Sequence, residues 1–278
     1  VMIDCTTGEG GHSQAFLDKY PALTVIGFDR DRSIQAKAIE RFLPYGSRFI
    51  PVNGWFDEEL AKREDCSADM ILFDLGISIF HYVESQRGFS FRADEKLDMR
   101  LDENQKLSAE TVVNEYSEEE LADIIYQYAE ERYSRRIARR IAEERSRERI
   151  TTASRLADII YSAVPPQYRH GHIHPATRTF QALRIEVNKE LDRITPALQE
   201  AVRVLKPKGR LAVITFHSLE DRQVKWFFKN KAAQDGSITI LTKHPVVATD
   251  EECRDNPPSR SAKLRIVEKK GDADYENN

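Results

Sequence analysis

A glycine-rich stretch near the start of the chain, Asp4 to Ser13 (DCTTGEGGHS), is the feature that most constrains the fold. It follows the apolar run Val1 to Ile3 and precedes a helix expected from Gln14 to Tyr20, so the glycines lie where a strand passes into a helix. Glycine tolerates positive φ and lets the backbone approach a ligand, and the first N–H groups of the helix are free to donate. The stretch indicates a nucleotide-type cofactor site, although glycines at a strand end are also ordinary turn formers.

The second predicted strand, Leu23 to Phe28, runs directly into an acidic sequence, Asp29-Arg30-Asp31. A carboxylate about 20 residues after the glycine loop is typical of nucleotide-binding βαβ units, where it binds the ribose hydroxyls. Asp31 is placed to cap the helix predicted from Arg32 to Phe42. Asp29, at the strand end itself, is therefore our predicted ribose ligand.

Strand-like and helix-like segments alternate through the first third of the chain. After Phe42 come a strand from Ser47 to Val52, a helix from Asp57 to Arg63 and a strand from Ala68 to Phe73. This alternation predicts a parallel sheet with helices on both faces. Ligands of such sheets bind at the carboxyl ends of the strands. Four predicted site segments fall at those ends: Gly8 to His12, Asp29, Trp55-Phe56 and Asp74.

A helical region interrupts this alternation, and we predict an all-helical inserted domain at residues 106–171. The helices expected there run from Ser117 to Arg149, as one helix or a pair, and from Ser154 to Val164. Between Ser117 and Glu131 there is no Lys or Arg, whereas arginines crowd the later part. These arginines are either a solvated face that complements the helix dipole or a surface that contacts phosphates.

The sheet domain is expected to consist of residues 1–105 and 172–278. Apolar residues at spacings of three and four from Phe180 to Leu205 predict one long amphipathic helix packed on the sheet. The later elements are a fifth strand, a helix and a terminal pair of strands: Arg210 to Phe216, Arg222 to Lys231, Ile238 to Thr242 and Lys263 to Val267. His217 and Ser218 directly follow the fifth strand.

The overall composition limits the class of partner and the compartment. Lys plus Arg is 42 and Asp plus Glu is 46, a net charge of −4, so a polyanionic partner must meet a local basic face. The three cysteines are far apart and lack a C-x-x-C pair, as in reduced cytosolic proteins. No apolar run approaches ~18 residues. We therefore predict a cytoplasmic protein with no membrane partner.

Longer motifs make the prediction more specific. The chain contains DxTxGxGGHS, DRD, RGFSFRxDxxLDMRxD, HPATRTFQALRIxVNxEL and FHSLEDRxVK, spread from Asp4 to Lys225. The order of glycine loop, acidic second strand end and aspartate after the fourth strand resembles class I (Rossmann-like) methyltransferases that use S-adenosylmethionine. The long motifs resemble the bacterial small-subunit rRNA cytosine-N4 methyltransferase family, RsmH (also called MraW).

This resemblance implies a fold, an activity and a set of site residues. The fold is an α/β class I methyltransferase sheet with helices on both faces, plus the inserted helical domain. The implied activity is N4-methylation of a cytidine in 16S rRNA near the decoding centre, with the small ribosomal subunit as partner and a homodimer left open. The implied cofactor ligands are Gly10, Gly11, His12, Asp29, Phe56, Asp74 and His81. His81 stands where the family has a glutamine, so the shape and charge of that contact differ.

The chemistry of the reaction suggests further residues. Cytosine N4 is a poor nucleophile, so catalysis requires alignment with the sulfonium methyl and acceptors for the amino hydrogens. Asp74 either serves as that acceptor or holds the cofactor and the following loop. His217 and Ser218 are further catalytic candidates. The predicted substrate-binding residues are Arg87, Phe89, Phe91, Asp98, Arg100, Arg135 and Arg139.

Several alternatives stay open at this stage. Phe89 and Phe91 either stack on an extruded base or belong to a core. His170, His172 and His174 have the spacing of metal ligands but no acidic or thiol partner nearby, so we predict a loop and no metal. Two other functions also fit part of the sequence: a nicotinamide-dependent oxidoreductase, from the near match of Gly8 to Ser13 to the dinucleotide fingerprint, and a non-catalytic RNA-binding assembly factor.

Overall fold

The computed structural model of the chain describes residues 1–171 and 173–271, so His172 of the predicted histidine cluster lies outside the described residues. The described residues form two compact units. The first consists of Val1–Ile77 and the residues from Leu191 onward, and the second is Ser78–Glu190. Within the described residues, no helix is long and apolar enough to cross a membrane.

The first unit is built on a sheet of eight strands within the described residues. They are β1 (Met2–Asp4), β2 (Val25–Asp29), β3 (Phe49–Asn53), β4 (Ala68–Asp74), β5 (Leu205–Thr215), β6 (Ile238–Ile240), β7 (Val246–Val247) and β8 (Lys263–Lys269). Their order is β3-β2-β1-β4-β5-β8-β6, with β7 paired to β8. Strands β1 to β5 are parallel, and β8 runs antiparallel to its three partners.

The helices account for most of the remaining described residues. In chain order they are α1 (Gly11–Lys19), α2 (Arg32–Phe42), α3 (Phe56–Ala61), α4 (Ile79–Val83), α5 (Ala109–Glu115), α6 (Glu118–Ala129), α7 (Ser134–Arg145), α8 (Ala153–Ala163), α9 (Pro166–Arg169), α10 (Ala176–Asn188), α11 (Glu190–Val204), α12 (Ser218–Gln234) and α13 (Asp250–Asp255). Two short 3-10 helices, Leu43–Arg48 and Pro257–Ser261, complete the set.

The sheet carries a core on each face, because successive strand residues point to opposite sides. In β4, Ile71 and Phe73 join a core with α11 and α12, whereas Leu72 joins a second core with α1 and α2. The two cores confirm the predicted α/β sheet covered by helices on both faces.

The prediction of one long helix from Phe180 to Leu205 is wrong. Helix α10 ends at Asn188, the next residue, Lys189, has a φ of +51° in the left-handed region, and α11 begins at Glu190. Helix α10 packs within the second unit, where Tyr116 donates to Glu186 (2.7 Å), whereas α11 packs on the sheet through Ile194 and Leu198. Each helix has its own buried face, so the apolar spacing continues through the break.

The second unit contains the predicted insertion 106–171 and extends beyond it at both ends. The loop of this unit that contains Met99 and Leu101 is held in place by Asn188 at the end of α10. The Asn188 amide donates to the Met99 carbonyl (2.8 Å) and accepts from the Leu101 N–H (2.9 Å). The region predicted from Ser117 to Arg149 is the pair α6 and α7, and Glu130 ends α6 with a φ of +49°.

Candidate active site

Two adjacent glycines shape the start of α1. Gly10 is the N-cap with φ +86°, and a Cβ built on it would lie 2.3 Å from Cε2 of Phe42 in α2. A Cβ on Gly11 would meet no atom within 4 Å. The loop is therefore pressed against α2 at Gly10, while the first turn of α1 borders open space at Gly11.

The buried carboxylate of Asp4, at the end of β1, fixes the glycine loop through hydrogen bonds. It accepts hydrogen bonds from the Ser13 hydroxyl (2.6 Å) and the Thr6 N–H (3.2 Å). Burial raises the pKa of Asp4, and the bond from Ser13 partly offsets this. Thr6 in turn accepts from the Asp74 N–H (2.6 Å), which ties the ends of β1 and β4 together.

Asp29 occupies the predicted place at the end of β2 and has a structural task there. One carboxylate oxygen accepts from the Gly8 N–H (2.8 Å) and the other from the Asp31 N–H (2.9 Å). Each oxygen has two lone pairs, so these bonds are compatible with ribose binding. Asp31 caps α2 as predicted, accepting from the Ser33 N–H (2.9 Å).

His12 and Asp74 meet at the edge of the sheet where β1 and β4 end. His12 Nε2 lies 3.4 Å from Asp74 Oδ2, and the hydrogen bond to Asp74 raises the pKa of His12. The other oxygen, Asp74 Oδ1, is buried and has no hydrogen-bond partner within residues 1–171 and 173–271. A buried acceptor without a partner is destabilising, so its retention calls for an explanation such as a catalytic role or a bound water, ion or ligand.

Phe56 borders the site at the end of β3. It begins α3, is half-buried, and packs edge-to-face on Phe73 with ring centroids 5.4 Å apart. Arg193 of α11 lies 4.0 Å from the Trp55 ring and pairs with Asp57 (2.8 Å). These contacts fix Trp55 and Phe56 at the strand end where the sequence predicted a site segment, with Phe56 as the implied cofactor ligand.

His217 and Ser218 begin α12 at the end of β5. His217 caps the helix: Nδ1 accepts from the Glu220 N–H (3.5 Å), and Nε2 lies 3.1 Å from the buried Glu220 carboxylate. Its ring therefore holds the first turn of α12. Ser218 is exposed and lines a cavity of about 200 Å³ together with Arg260 and Lys263.

In the second unit, the two predicted aromatic substrate residues differ in exposure. Phe89 is 4% exposed and packs edge-to-face with the buried His81, 5.3 Å between centroids. Phe91 is half-buried and contacts His174 (4.6 Å) and Phe180 (5.0 Å). Of the two predicted alternatives, Phe89 therefore belongs to a core, because the residues packed around its ring leave no face exposed for stacking on a base.

The predicted substrate residues Arg87, Asp98 and Arg100 hold their own loop together. Arg100 forms a two-point pair with Asp98 (2.7 and 2.8 Å) and donates to two backbone carbonyls. The guanidinium of Arg87 is buried and donates to the Arg100 carbonyl (2.9 Å). These hydrogen bonds give Arg87, Asp98 and Arg100 of the RGFSFRxDxxLDMRxD motif a structural role in their own loop, which the sequence alone did not indicate.

The arginines of α7 fall into two groups. Arg139 lies 3.6 Å from Glu118, and Arg140 lies 2.9 Å from Glu144. Arg135 and Arg136 are exposed and have no ion pair within the described part of the chain. The solvated-face explanation thus accounts for Arg139 and Arg140 better than for Arg135 and Arg136.

The sheet order, the glycine loop after β1 and the carboxylate at the end of β2 define a class I, Rossmann-like methyltransferase. A family model described as the MraW methylase family matches residues 1–270, and the chain belongs to this family.

Several relatives named ribosomal RNA small subunit methyltransferase H are similar over almost their whole length. The protein of Treponema denticola is 53% identical, covering 97% of this chain and 90% of the relative. Those of Persephonella marina and Nostoc sp. are 46% and 45% identical, covering 96% and 99% of this chain and 92% and 88% of the relatives. The predicted family and enzyme class, an rRNA methyltransferase using S-adenosylmethionine, are thereby confirmed, and the oxidoreductase alternative is not supported.

Sequence reasoning assigned no role to Asp4 and Thr6. The Asp4 carboxylate accepts from the Ser13 hydroxyl beyond the glycine loop, and the Thr6 hydroxyl accepts from the Asp74 N–H, 68 residues along the chain. An acidic residue at the end of a buried strand was the available signal for Asp4, and nothing in the sequence indicated the bond between Thr6 and Asp74.

Proposed function

We propose that the protein methylates the exocyclic N4 of a cytidine in 16S rRNA, near the decoding centre of the small ribosomal subunit. The observation that carries this proposal is Asp74 Oδ1, a buried acceptor without a hydrogen-bond partner in the described residues, next to the glycine loop. An amino group offers the N–H donors that this atom lacks. The names of the relatives support the small-subunit rRNA as substrate. Because ribosomal subunits are cytoplasmic in bacteria, such a substrate favours a cytoplasmic location.

The loop residues fit S-adenosylmethionine. Open space at Gly11 admits a ligand against the first turn of α1, Asp29 has lone pairs for the ribose hydroxyls, and Phe56 offers an aromatic face for adenine. His12 and Asp74 border the same loop. When bound there, the cofactor supplies a methyl group made electrophilic by its sulfonium sulfur.

Asp74 then orients and activates the amine. Its Oδ1 accepts a hydrogen bond from the N4 amino group, which turns the nitrogen lone pair towards the methyl donor. As N4 takes the methyl group, the methyl–sulfur bond would break and the cofactor would leave as a neutral thioether. The Asp74 carboxylate would stabilise the positive charge that develops on N4 and accept the released proton. His12, hydrogen-bonded to Oδ2, keeps the carboxylate in place.

The remaining predicted residues have narrower roles in this proposal. His217 positions the first turn of α12, and the exposed Ser218 contacts RNA. The helical segment 106–171 recognises the substrate, chiefly through arginines that lack an ion pair. The cofactor contact by His81 and a homodimer stay predictions; sedimentation would test the latter.

Mass spectrometry of the product tests the reaction. Small subunits from cells that lack the gene are incubated with protein and S-adenosylmethionine, and the digested rRNA is analysed for N4-methylcytidine. We expect the modified nucleoside to approach one per subunit, whereas subunits from cells that retain the gene accept no further methyl group. The absence of methylated cytidine in the first sample would contradict the proposal.

The different roles proposed for two carboxylates, Asp29 in cofactor binding and Asp74 in methyl transfer, provide a second test. Asp29→Ala should weaken cofactor binding, because it removes the ribose acceptor and the bond that holds Gly8. Asp74→Asn should slow single-turnover methyl transfer about 100-fold with a small change in cofactor affinity. Calorimetry gives the affinities, and an equal loss of affinity in both variants would refute this assignment.

A further inference from the structure

The C-terminal three quarters of α12 is basic in a chain whose net charge is −4. From Arg222 to Gln234 the helix has no carboxylate and four basic residues, Arg222, Lys225, Lys229 and Lys231. In an acidic protein, a local basic segment of this kind is where a polyanionic partner could bind.

Three of these cations form one exposed stripe. Ser218, Arg222, Lys225 and Lys229 recur at spacings of four, three and four, so they share one side of the helix over about 16 Å. All four are exposed, whereas Val224 and Phe228 on the opposite side are buried against the sheet. We call this surface the α12 stripe.

The lysines of the stripe have no neutralising carboxylate. Lys225 and Lys229 lack an ion pair within the part of the chain that the structure describes. The nearby acids are already engaged: Asp221 pairs with Arg265 (2.8 Å), and Asp235 pairs with Lys231 (2.6 Å). This differs from α7, where glutamates neutralise several arginines.

An exposed tryptophan lies beside the stripe. Trp226 is 50% exposed, and the Lys229 ammonium lies 5.1 Å from the centroid of its ring. An aromatic ring next to unpaired cations is the combination with which proteins bind single-stranded nucleic acid, since bases stack on the ring while the cations contact phosphates.

The stripe begins at the cavity after β5. Ser218 lines this cavity with Ser261, Arg260 and Lys263. Arg260 is exposed and has no ion pair within the described residues. The basic surface is thus continuous from the carboxyl end of β5 along α12.

We propose that the α12 stripe and the cavity at its start bind the sugar–phosphate backbone of the RNA substrate, with Trp226 stacked on an unpaired base. The inference rests on the proposed function, which makes RNA the substrate. Phosphates complement the cations of the stripe, and a single strand crossing it would meet Arg260, Lys225 and Lys229 in turn.

Paired variants of the intact protein test this surface. Lys225→Gln with Lys229→Gln removes two cations of the stripe, and Trp226→Ala removes the ring. The matched control is Lys19→Gln with Arg41→Gln: both side chains are exposed, form no ion pair within the described residues, and lie in the last turns of α1 and α2, remote from the carboxyl ends of the strands. Lys19 lies 5.8 Å from the Tyr20 ring, which reproduces the lysine–aromatic contact.

Binding of protein-free 16S rRNA transcript is measured as a function of salt. We expect the double lysine variant to bind about tenfold more weakly near ~0.1 M salt and to lower the salt slope by about 2, one for each phosphate contact. Trp226→Ala should also weaken binding about tenfold but leave the slope unchanged, because stacking releases no counterions. The control should alter neither quantity, and all variants should keep the parental melting temperature and cofactor affinity.

Two results would overturn the inference. Unchanged affinity and slope in the stripe variants would make α12 an ordinary solvated surface. Weaker binding to small subunits with unchanged binding to the transcript would make the occupant a ribosomal protein. Cytidine methylation by the parental protein is measured separately, so its failure refutes the proposed function, whereas active parental enzyme with unaffected stripe variants refutes this inference alone.

Discussion

At the scale of single residues, Gly10 and Gly11 are adjacent but need to be glycine for different reasons. Gly10 adopts a positive φ and leaves no room for a Cβ next to Phe42, so the fold itself requires glycine at this position. Gly11 is helical and a Cβ on it would meet no atom within 4 Å, so the fold does not require glycine there, and we attribute this glycine to the proposed cofactor contact.

Alanine substitutions should separate these two roles. Gly10→Ala should lower the free energy of unfolding by about 2–4 kcal/mol, from left-handed strain and overpacking against Phe42. Gly11→Ala should leave stability unchanged and weaken S-adenosylmethionine binding, because the methyl group occupies cofactor space. Urea unfolding and calorimetry measure the two quantities. A Gly11→Ala variant with parental cofactor affinity would place the cofactor elsewhere.

The pair His12–Asp74 makes stability depend on pH. The folded pKa of His12 is raised above 6.5, chiefly by its hydrogen bond to Asp74, so the pair stabilises the fold fully below pH 6.5 and loses this effect as pH rises through the raised pKa. The stability difference between the parental protein and His12→Gln should therefore be largest below pH 6.5 and shrink at higher pH. His12 is half-exposed, so we expect a difference below about 1 kcal/mol. A difference that grows with pH would contradict this sign.

At the scale of elements, two helices end on residues that the sequence does not mark as stops. Glu130 after α6 and Lys189 after α10 both adopt left-handed conformations with a Cβ. Glycine or asparagine is the usual signal at such a position. Because apolar spacing continued through Lys189, the sequence predicted a single helix where there are two.

Glu130→Gly should relieve the backbone strain at the end of α6. We expect the free energy of unfolding to rise by about 1 kcal/mol, since glycine adopts this conformation without a Cβ clash. Glu130→Ala is the matched control, because it removes the same carboxylate but keeps the Cβ, and it should give no gain. Chemical denaturation measures both, and equal stability of the two variants would show that the strain is negligible.

At the scale of the whole molecule, an acidic protein must bind an acidic polymer through local surfaces. Ion pairs within the second unit neutralise Arg139 and Arg140, but Arg135 and Arg136 have no such partner in the described residues. The charge available to RNA is therefore smaller than the number of arginines in the sequence suggests.

Charge reversal on α7 tests this distinction. Arg135→Glu with Arg136→Glu should raise KM for small subunits about tenfold or more, with a reduced dependence on salt. Arg139→Glu with Arg140→Glu should have a smaller effect on binding, because those charges are already paired, and a larger effect on stability. Equal KM values for the parental protein and the Arg135/Arg136 variant would assign both arginines to a solvated face.

The part of the fold that could be predicted is the part specified locally. Strands β1 to β4 are short apolar runs that end in polar residues, and chain order brings their carboxyl ends to one edge. The positions of Asp29 and the glycine loop at these strand ends could be predicted for this reason. The roles of Arg87, Asp98 and Arg100 were not, because their partners lie within a loop whose shape has no periodic pattern.

The sequence by itself determined the class of protein, the alternation of strands and helices from β1 to β4 and the glycine loop between β1 and α1, because these depend on neighbouring residues and connectivity. Only the tertiary structure decided that Asp4, Ser13, Thr6 and Asp74 form one hydrogen-bonded chain and that one oxygen of Asp74 is left without a partner. It also decided which cations are exposed and unpaired on α7 and α12. The physical reason is that hydrogen bonds and ion pairs join side chains distant in sequence, whose meeting depends on how the whole chain packs.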